Sequence, residues 1–148
     1  GNSIDPIDVV NEYGADTFRL HMMFIGEYEK NNNWTLKGIT GIKRFLSGVW
    51  SLQDMIKGDE VSAEHEFILH NLIKRCDTTI YDANPEHTSY DQHNDFKFNT
   101  VIANMMTFMN KIREDGWITK EEVSLFFSIL LLLSSLPNFM KLFSAVIL

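Results

Sequence analysis

From Ile39 to Ile56 the large apolar side chains fall at Ile39, Ile42, Phe45, Leu46, Val49, Trp50, Leu52, Met55 and Ile56. Gaps of three and one residues repeat around a helical turn and place these side chains on one wide stripe. A half-buried strand needs alternation at every second residue, and no segment of the chain sustains it. Helix faces must therefore be buried against helix faces. The predicted class is all-α, an antiparallel helix bundle with short connections.

The capping residues divide this pattern into six helices. Asp5 is an N-cap with Pro6 at the first helical position, and Gly14 is a stop. A second helix restarts at Ala15 or Asp16. Its nearly continuous apolar run from Phe18 to Ile25 predicts burial on most sides, with Gly26 ending it. Thr35 caps a third, over 36–57, in which Gly38, Gly41 and Gly48 permit close helix contact. Ser62 starts a fourth, whose apolar positions include Phe67, Ile68, Leu69, Leu72, Ile73, Cys76 and Ile80. The fifth runs from Phe96 to Ile112, with Gly116 beyond it. Thr119 to Glu122 is a capping box for the sixth, which extends to about Ser135 and is limited by Pro137. Residues 27–34 and 81–95 are polar loops.

A chain of 148 residues with 45% hydrophobic content suits one domain with a real core. Its net charge of −7 argues against a uniform electrostatic grip on nucleic acid and leaves only a local basic patch. A single cysteine, Cys76, rules out an internal disulfide framework and fits a reducing compartment. The N-terminal stretch has no basic segment followed by an apolar core, so no signal peptide is expected.

The side chains assemble no catalytic constellation. His65 and His70 are five residues apart and do not share a helix face, and His87 and His93 have no cysteine pair nearby. The acidic loop from Asp82 has His87 where a calcium loop needs glycine and His93 where it needs glutamate. Cys76 falls on the apolar stripe of the fourth helix and reads as core, not nucleophile. The methionines read as core filler. The uncharged run LFFSILLLLSSLPNFM (125–140) is interrupted by Pro137 and Asn138 before the about 20 residues a spanning helix needs, so a buried bundle helix is expected and no membrane partner. No metal site and no catalytic residue is assigned.

Three blocks carry a resemblance. GNSIDPIDVVNEYGADTFRLHMMFIG (1–26) is similar to the segment after the KMSKS signature of class I aminoacyl-tRNA synthetases, with Tyr13-Gly14-Ala15-Asp16-Thr17-x-Arg19 as its core. MFIGEYEKNNNWTLKGITGIKRFLSGVWSL (23–52) resembles the leucine-enzyme pattern Met-Phe-x-Gly-Pro-x-Glu-Lys, Trp, Gly-Ile-x-Gly-x-x-Arg-Phe-Leu-x-Arg-Val-Trp. LHNLIKRC (69–76) and FKFNTVIANMMTFMNKI (96–112) resemble that family's His-x-x-Ile-Lys-x-Val and Phe-Asn-Thr-Ala-Ile-Ala blocks. The chain is accordingly identified as a piece of a leucyl-tRNA synthetase.

The resemblance implies two parts: junction helices over 1–34 and an anticodon-binding helical bundle over 35–148, with the loop at 81–95 as an insertion. It implies a piece of a leucine–tRNA ligase that is inactive alone and cytoplasmic. It also implies tRNA(Leu) and the catalytic domain of the same polypeptide as partners. ATP is used by the full-length enzyme, and no cofactor is expected in this piece. Arg44, Lys43 and Lys37, then Lys74 and Arg75, are the expected tRNA-backbone contacts, and Asp16 and Arg19 are expected to brace the domain junction with the KMSKS loop, or each other. Trp34, Phe45 and Trp50 are expected to pack. There are departures from the family pattern. Glu27 stands for the usual proline, Gly48 for the second arginine, and from about residue 134 the C-terminus lacks the family's Pro-Phe-x-Pro-His block. The competing reading is a stand-alone helical module that binds protein or membrane through a Met-rich or C-terminal apolar surface.

Overall fold

Local capping rules set the helix boundaries. The Asp5 carboxylate accepts a hydrogen bond from the Ile7 N–H at 2.8 Å and starts α1 (Pro6–Tyr13). Gly14, at φ 88°, ends α1 and turns directly into α2 (Ala15–Phe24). The Thr35 hydroxyl accepts from the Gly38 N–H at 3.2 Å and opens α3 (Leu36–Trp50). The Ser62 hydroxyl accepts from the His65 N–H at 3.1 Å at the start of α4 (Ala63–Asp82). Then come α5 (Phe98–Asp115), closed by Gly116 in the left-handed region, and α6 (Lys120–Ser134). The capping box at α6 is reciprocal. The Thr119 N–H donates to the Glu122 carboxylate at 2.7 Å, and the Glu122 N–H donates to the Thr119 hydroxyl at 3.2 Å.

This computed structural model describes residues 4–26, 34–82 and 97–134. Expectations for 27–33, for 83–96 with His87 and His93, and for the chain from 135 onward lie outside those residues. Among the described residues the fold is all-α, and the one non-helical pairing is an isolated bridge between Ile56 and Ile118.

One apolar cluster joins Leu20 of α2 to residues of α3, α4, α5 and α6. Phe108 of α5 and Phe126 of α6 sit at its centre, fully buried, with ring centroids 5.6 Å apart. Burying each such ring stabilises the fold by roughly 1.5–3 kcal/mol. Cys76 is buried in the same cluster, and burial followed by the nearby Asp77 pushes its thiol pKa up, as suits a core residue. The run beginning at Leu125 is buried through Phe126, Phe127, Ile129, Leu130 and Leu133. Among the described residues no helix is long and apolar enough to cross a membrane.

The expected third helix is shorter than 36–57. After Trp50 the chain tightens into a 3-10 turn (Ser51–Met55). Continued α-helix would have claimed backbone groups that Ile118 satisfies instead. The Ile118 N–H donates to the Met55 carbonyl at 3.1 Å, and the Lys57 N–H donates to the Ile118 carbonyl at 2.9 Å.

Burial also differs from the apolar string in three places. The buried face of α2 is mostly polar: Asp16, Thr17 and His21 accompany Leu20, while Met22 is exposed. Trp50 is 38% exposed, because Ile42, Phe45, Leu46 and Val49 hold the inner face of α3. On α4 the inner face is His65, Leu69, Leu72, Cys76 and Thr79, a 3.6-residue series that leaves Phe67, Ile73 and Ile80 outside.

Candidate nucleic-acid interface

Within α3 no acidic residue occurs, and Lys37, Lys43 and Arg44 are all exposed. At about 100° per residue, Lys37, Gly41, Arg44 and Gly48 fall within about 60° of one another along the helix. Lys43 lies outside that sector. Its Nζ donates to the Glu12 carbonyl at 3.4 Å and stands 5.4 Å from the centroid of the Tyr13 ring, so it ties α3 to α1. The expected trio therefore separates into a Lys37–Arg44 line and a Lys43 turned toward α1.

The glycines in that line differ. A Cβ at Gly41 would meet nothing within 4 Å, so the helix backbone is bare between Lys37 and Arg44. Gly48 is buried, and a Cβ there would overlap the Arg113 guanidinium and approach Met109 Cε to 2.9 Å. Arg113, in the last turn of α5, thus lies across α3 at Gly48. Lys111, two residues earlier, goes the other way and pairs with Glu64 at 3.0 Å and Asp115 at 3.1 Å. The Glu64 contact, then the Asp115 contact, push the Lys111 pKa up.

Lys74 and Arg75 are exposed on α4, whose main neighbours are α5 and α6. The main neighbours of α3 are α2, the 3-10 turn, α1 and α5, so Lys74 and Arg75 stand on a helix that packs chiefly against other elements than α3 does. Asp16 is buried, and its Oδ1 lies 3.8 Å from Arg19 Nη1 one turn on. A recess between α4 and α6 carries Glu66, Glu121 and Glu122 around Leu69 and Leu125, the wrong sign for a phosphate. Among the described residues no group of three His, Cys, Asp or Glu side chains is arranged to hold a metal.

The leucine–tRNA ligase of Alkaliphilus oremlandii is 37% identical to the chain over 131 residues, covering 88% of this chain. Those of Fervidobacterium nodosum and Leptospira biflexa are 32% and 34% identical over 127 and 118 residues. The chain belongs to the leucine–tRNA ligase family. It spans between 12% and 15% of the length of these relatives. No protein-family model matches it. Among solved structures, an Agrobacterium radiobacter LeuRS in a ternary complex with tRNA and LeuAMS superposes with a TM-score of 0.69 over 99% of this chain and 20% of that one. At 20% sequence identity this likeness establishes the shared all-α fold.

Two features of the structure went unread in the sequence. One is Arg113, whose approach to Gly48 is a contact between distant parts of the chain. The other is His65, fully buried, with Nδ1 2.9 Å from Glu122 Oε1 and Nε2 2.8 Å from Asp115 Oδ2. Its ring packs against Trp117 and Phe108. A signal for His65 was present: it precedes Leu69, Leu72 and Cys76 by four, seven and eleven residues, on the apolar stripe of α4.

Proposed function

We propose that the chain is the tRNA-binding helical part of a leucyl-tRNA synthetase, its anticodon-binding domain. It positions tRNA(Leu) for ATP-dependent leucylation by the catalytic domain of the same polypeptide in the cytoplasm. Family membership supports the ligase, and the LeuRS relative solved with tRNA supports the partner. The observation that carries the reading is the acid-free outer line of α3 with Lys37 and Arg44 exposed along it. Phosphate contacts from such a line position an RNA without reading its sequence. The strongly acidic remainder of the chain disfavours RNA elsewhere and makes the grip local. Asp16 and Arg19 would brace the junction with the catalytic domain, and Lys74 and Arg75 would add contacts from α4.

The test is binding of a tRNA(Leu) transcript by the chain as a function of salt. The Lys37→Ala/Arg44→Ala variant is expected to lose about tenfold or more in affinity, with a salt slope lower by about two. Lys43→Ala should lose less, since Lys43 is already engaged by α1. Equal binding by wild type and double variant would overturn the site assignment. The chain alone is expected to give no leucine-dependent ATP–pyrophosphate exchange.

A further inference from the structure

Arg113 is exposed at the end of α5, yet its guanidinium does not project freely. It lies over the backbone of α3 in the space that the missing side chain of Gly48 leaves, with Cζ 3.2 Å from where a Cβ would stand. Carboxylates are at hand on α5, since Glu114 and Asp115 follow it directly. No ion pair joins either to Arg113 among the described residues. Asp115 is held by His65 and Lys111 on the side of α5 facing α4. Lys111 and Arg113 are about 200° apart on the helix, so one α5 cation is neutralised internally and the other is sent to α3.

The place it reaches has particular electrostatics. Gly48 is one turn from Arg44, about 6 Å along the axis, on a helix with no acidic residue. The Arg113 guanidinium is thereby anchored one turn from Arg44 on a helix that contributes no carboxylate of its own. Such planar forks bind phosphate oxygens bidentately, and an anion placed between them relieves their repulsion.

We propose that Arg113 is an RNA-phosphate contact: together with Arg44 it forms a two-arginine clamp on the outer face of α3, reached from α5 through the gap at Gly48. The clamp rests on the reading that this chain binds tRNA. It extends the Lys37–Arg44 line by one cation supplied from a second helix, and it fixes the angle between α3 and α5 relative to the RNA.

The test measures binding of a tRNA(Leu) transcript across a salt series by wild type, Arg113→Ala, Arg113→Lys and Arg113→Gln, with a thermal melt of each. Arg113→Ala is expected to weaken binding about five- to tenfold at about 0.1 M salt and to lower the salt slope by about one. Arg113→Lys is expected to keep the wild-type slope because it keeps the charge, and Arg113→Gln, which keeps the length and removes the charge, is expected to show the slope lowered by about one and decides the matter if Arg113→Ala does not fold. Wild-type binding with an unchanged affinity and slope in Arg113→Ala would overturn the clamp and leave the tRNA reading standing. A lysine variant with the reduced slope of the alanine variant would also overturn it, since the effect would then be structural. Absence of tRNA binding by wild type would overturn both.

Discussion

Nδ1 of His65 lies 2.9 Å from Oε1 of Glu122, so a side chain of α4 grips the capping residue of α6. The same carboxylate accepts the Thr119 N–H through Oε2. On the opposite edge of the ring, Nε2 meets Asp115 near the end of α5. One imidazole therefore joins three helices beneath the core. The His65 hydrogen bond, then the Lys111 contact, hold the Asp115 carboxyl below its ordinary 3.8.

Removing this ring should be costly. His65→Ala leaves Glu122, only 1% exposed, without its partner on Oε1 and opens a void against Trp117. The expected loss is about 2–4 kcal/mol in urea denaturation, with the helical fold retained at low denaturant. A loss under about 0.5 kcal/mol would show that the cluster contributes nothing beyond surface pairing.

Two glycines of α3 should respond oppositely to alanine. At Gly41 the added methyl meets nothing within 4 Å, so Gly41→Ala should raise stability by about 0.5–1 kcal/mol through helix propensity alone. At Gly38 it would come to 2.8 Å from His21 Cε1 and 3.1 Å from the Thr35 hydroxyl. The His21 ring is wedged edge-on against Trp34, with centroids 4.7 Å apart, and has little room to yield. Gly38→Ala should therefore cost about 1–3 kcal/mol. Equal shifts in the two thermal midpoints would refute the distinction.

The pH dependence of stability should show His21. It is 3% exposed, and among the described residues neither ring nitrogen has a hydrogen-bond partner. Burial pushes its pKa below the ordinary 6.5. The unfolded chain gains a proton near pH 6.5 that the folded chain refuses, so stability is complete above that pH and falls as pH drops below it. Asp115 works in the same direction in a lower window, its contribution lost as pH falls below about 4. Urea midpoints of His21→Leu between pH 7 and pH 5 should be flatter than wild type, and a slope identical to wild type would assign the effect to other groups.

What could be read along the chain depended on reach. The caps of α1, α3 and α6 involve partners two or three residues apart, Asp5 with Ile7, Thr35 with Gly38 and Thr119 with Glu122, and these contacts form as expected. The inner face of α4 was harder to read, because Phe67, Ile73 and Ile80 have the same hydrophobicity as the residues that are buried. Only the position of the neighbouring helices selects Leu69, Leu72 and Cys76. Burial of Asp16, Thr17 and His21 on α2 was invisible for the same reason: polarity alone places such residues outside.

The sequence by itself determined the helices, the capped starts of α1, α3 and α6, the all-α class and the family, because capping and periodicity are properties of a few adjacent residues and block patterns are strings. The tertiary structure decided which charges stand together. It turned Lys43 to the carbonyl of Glu12, locked Lys111 to Glu64 and laid Arg113 over Gly48 beside the turn that carries Arg44. A charged side chain reaches several ångströms from its backbone, and its partner is chosen by how helices far apart in the chain are packed.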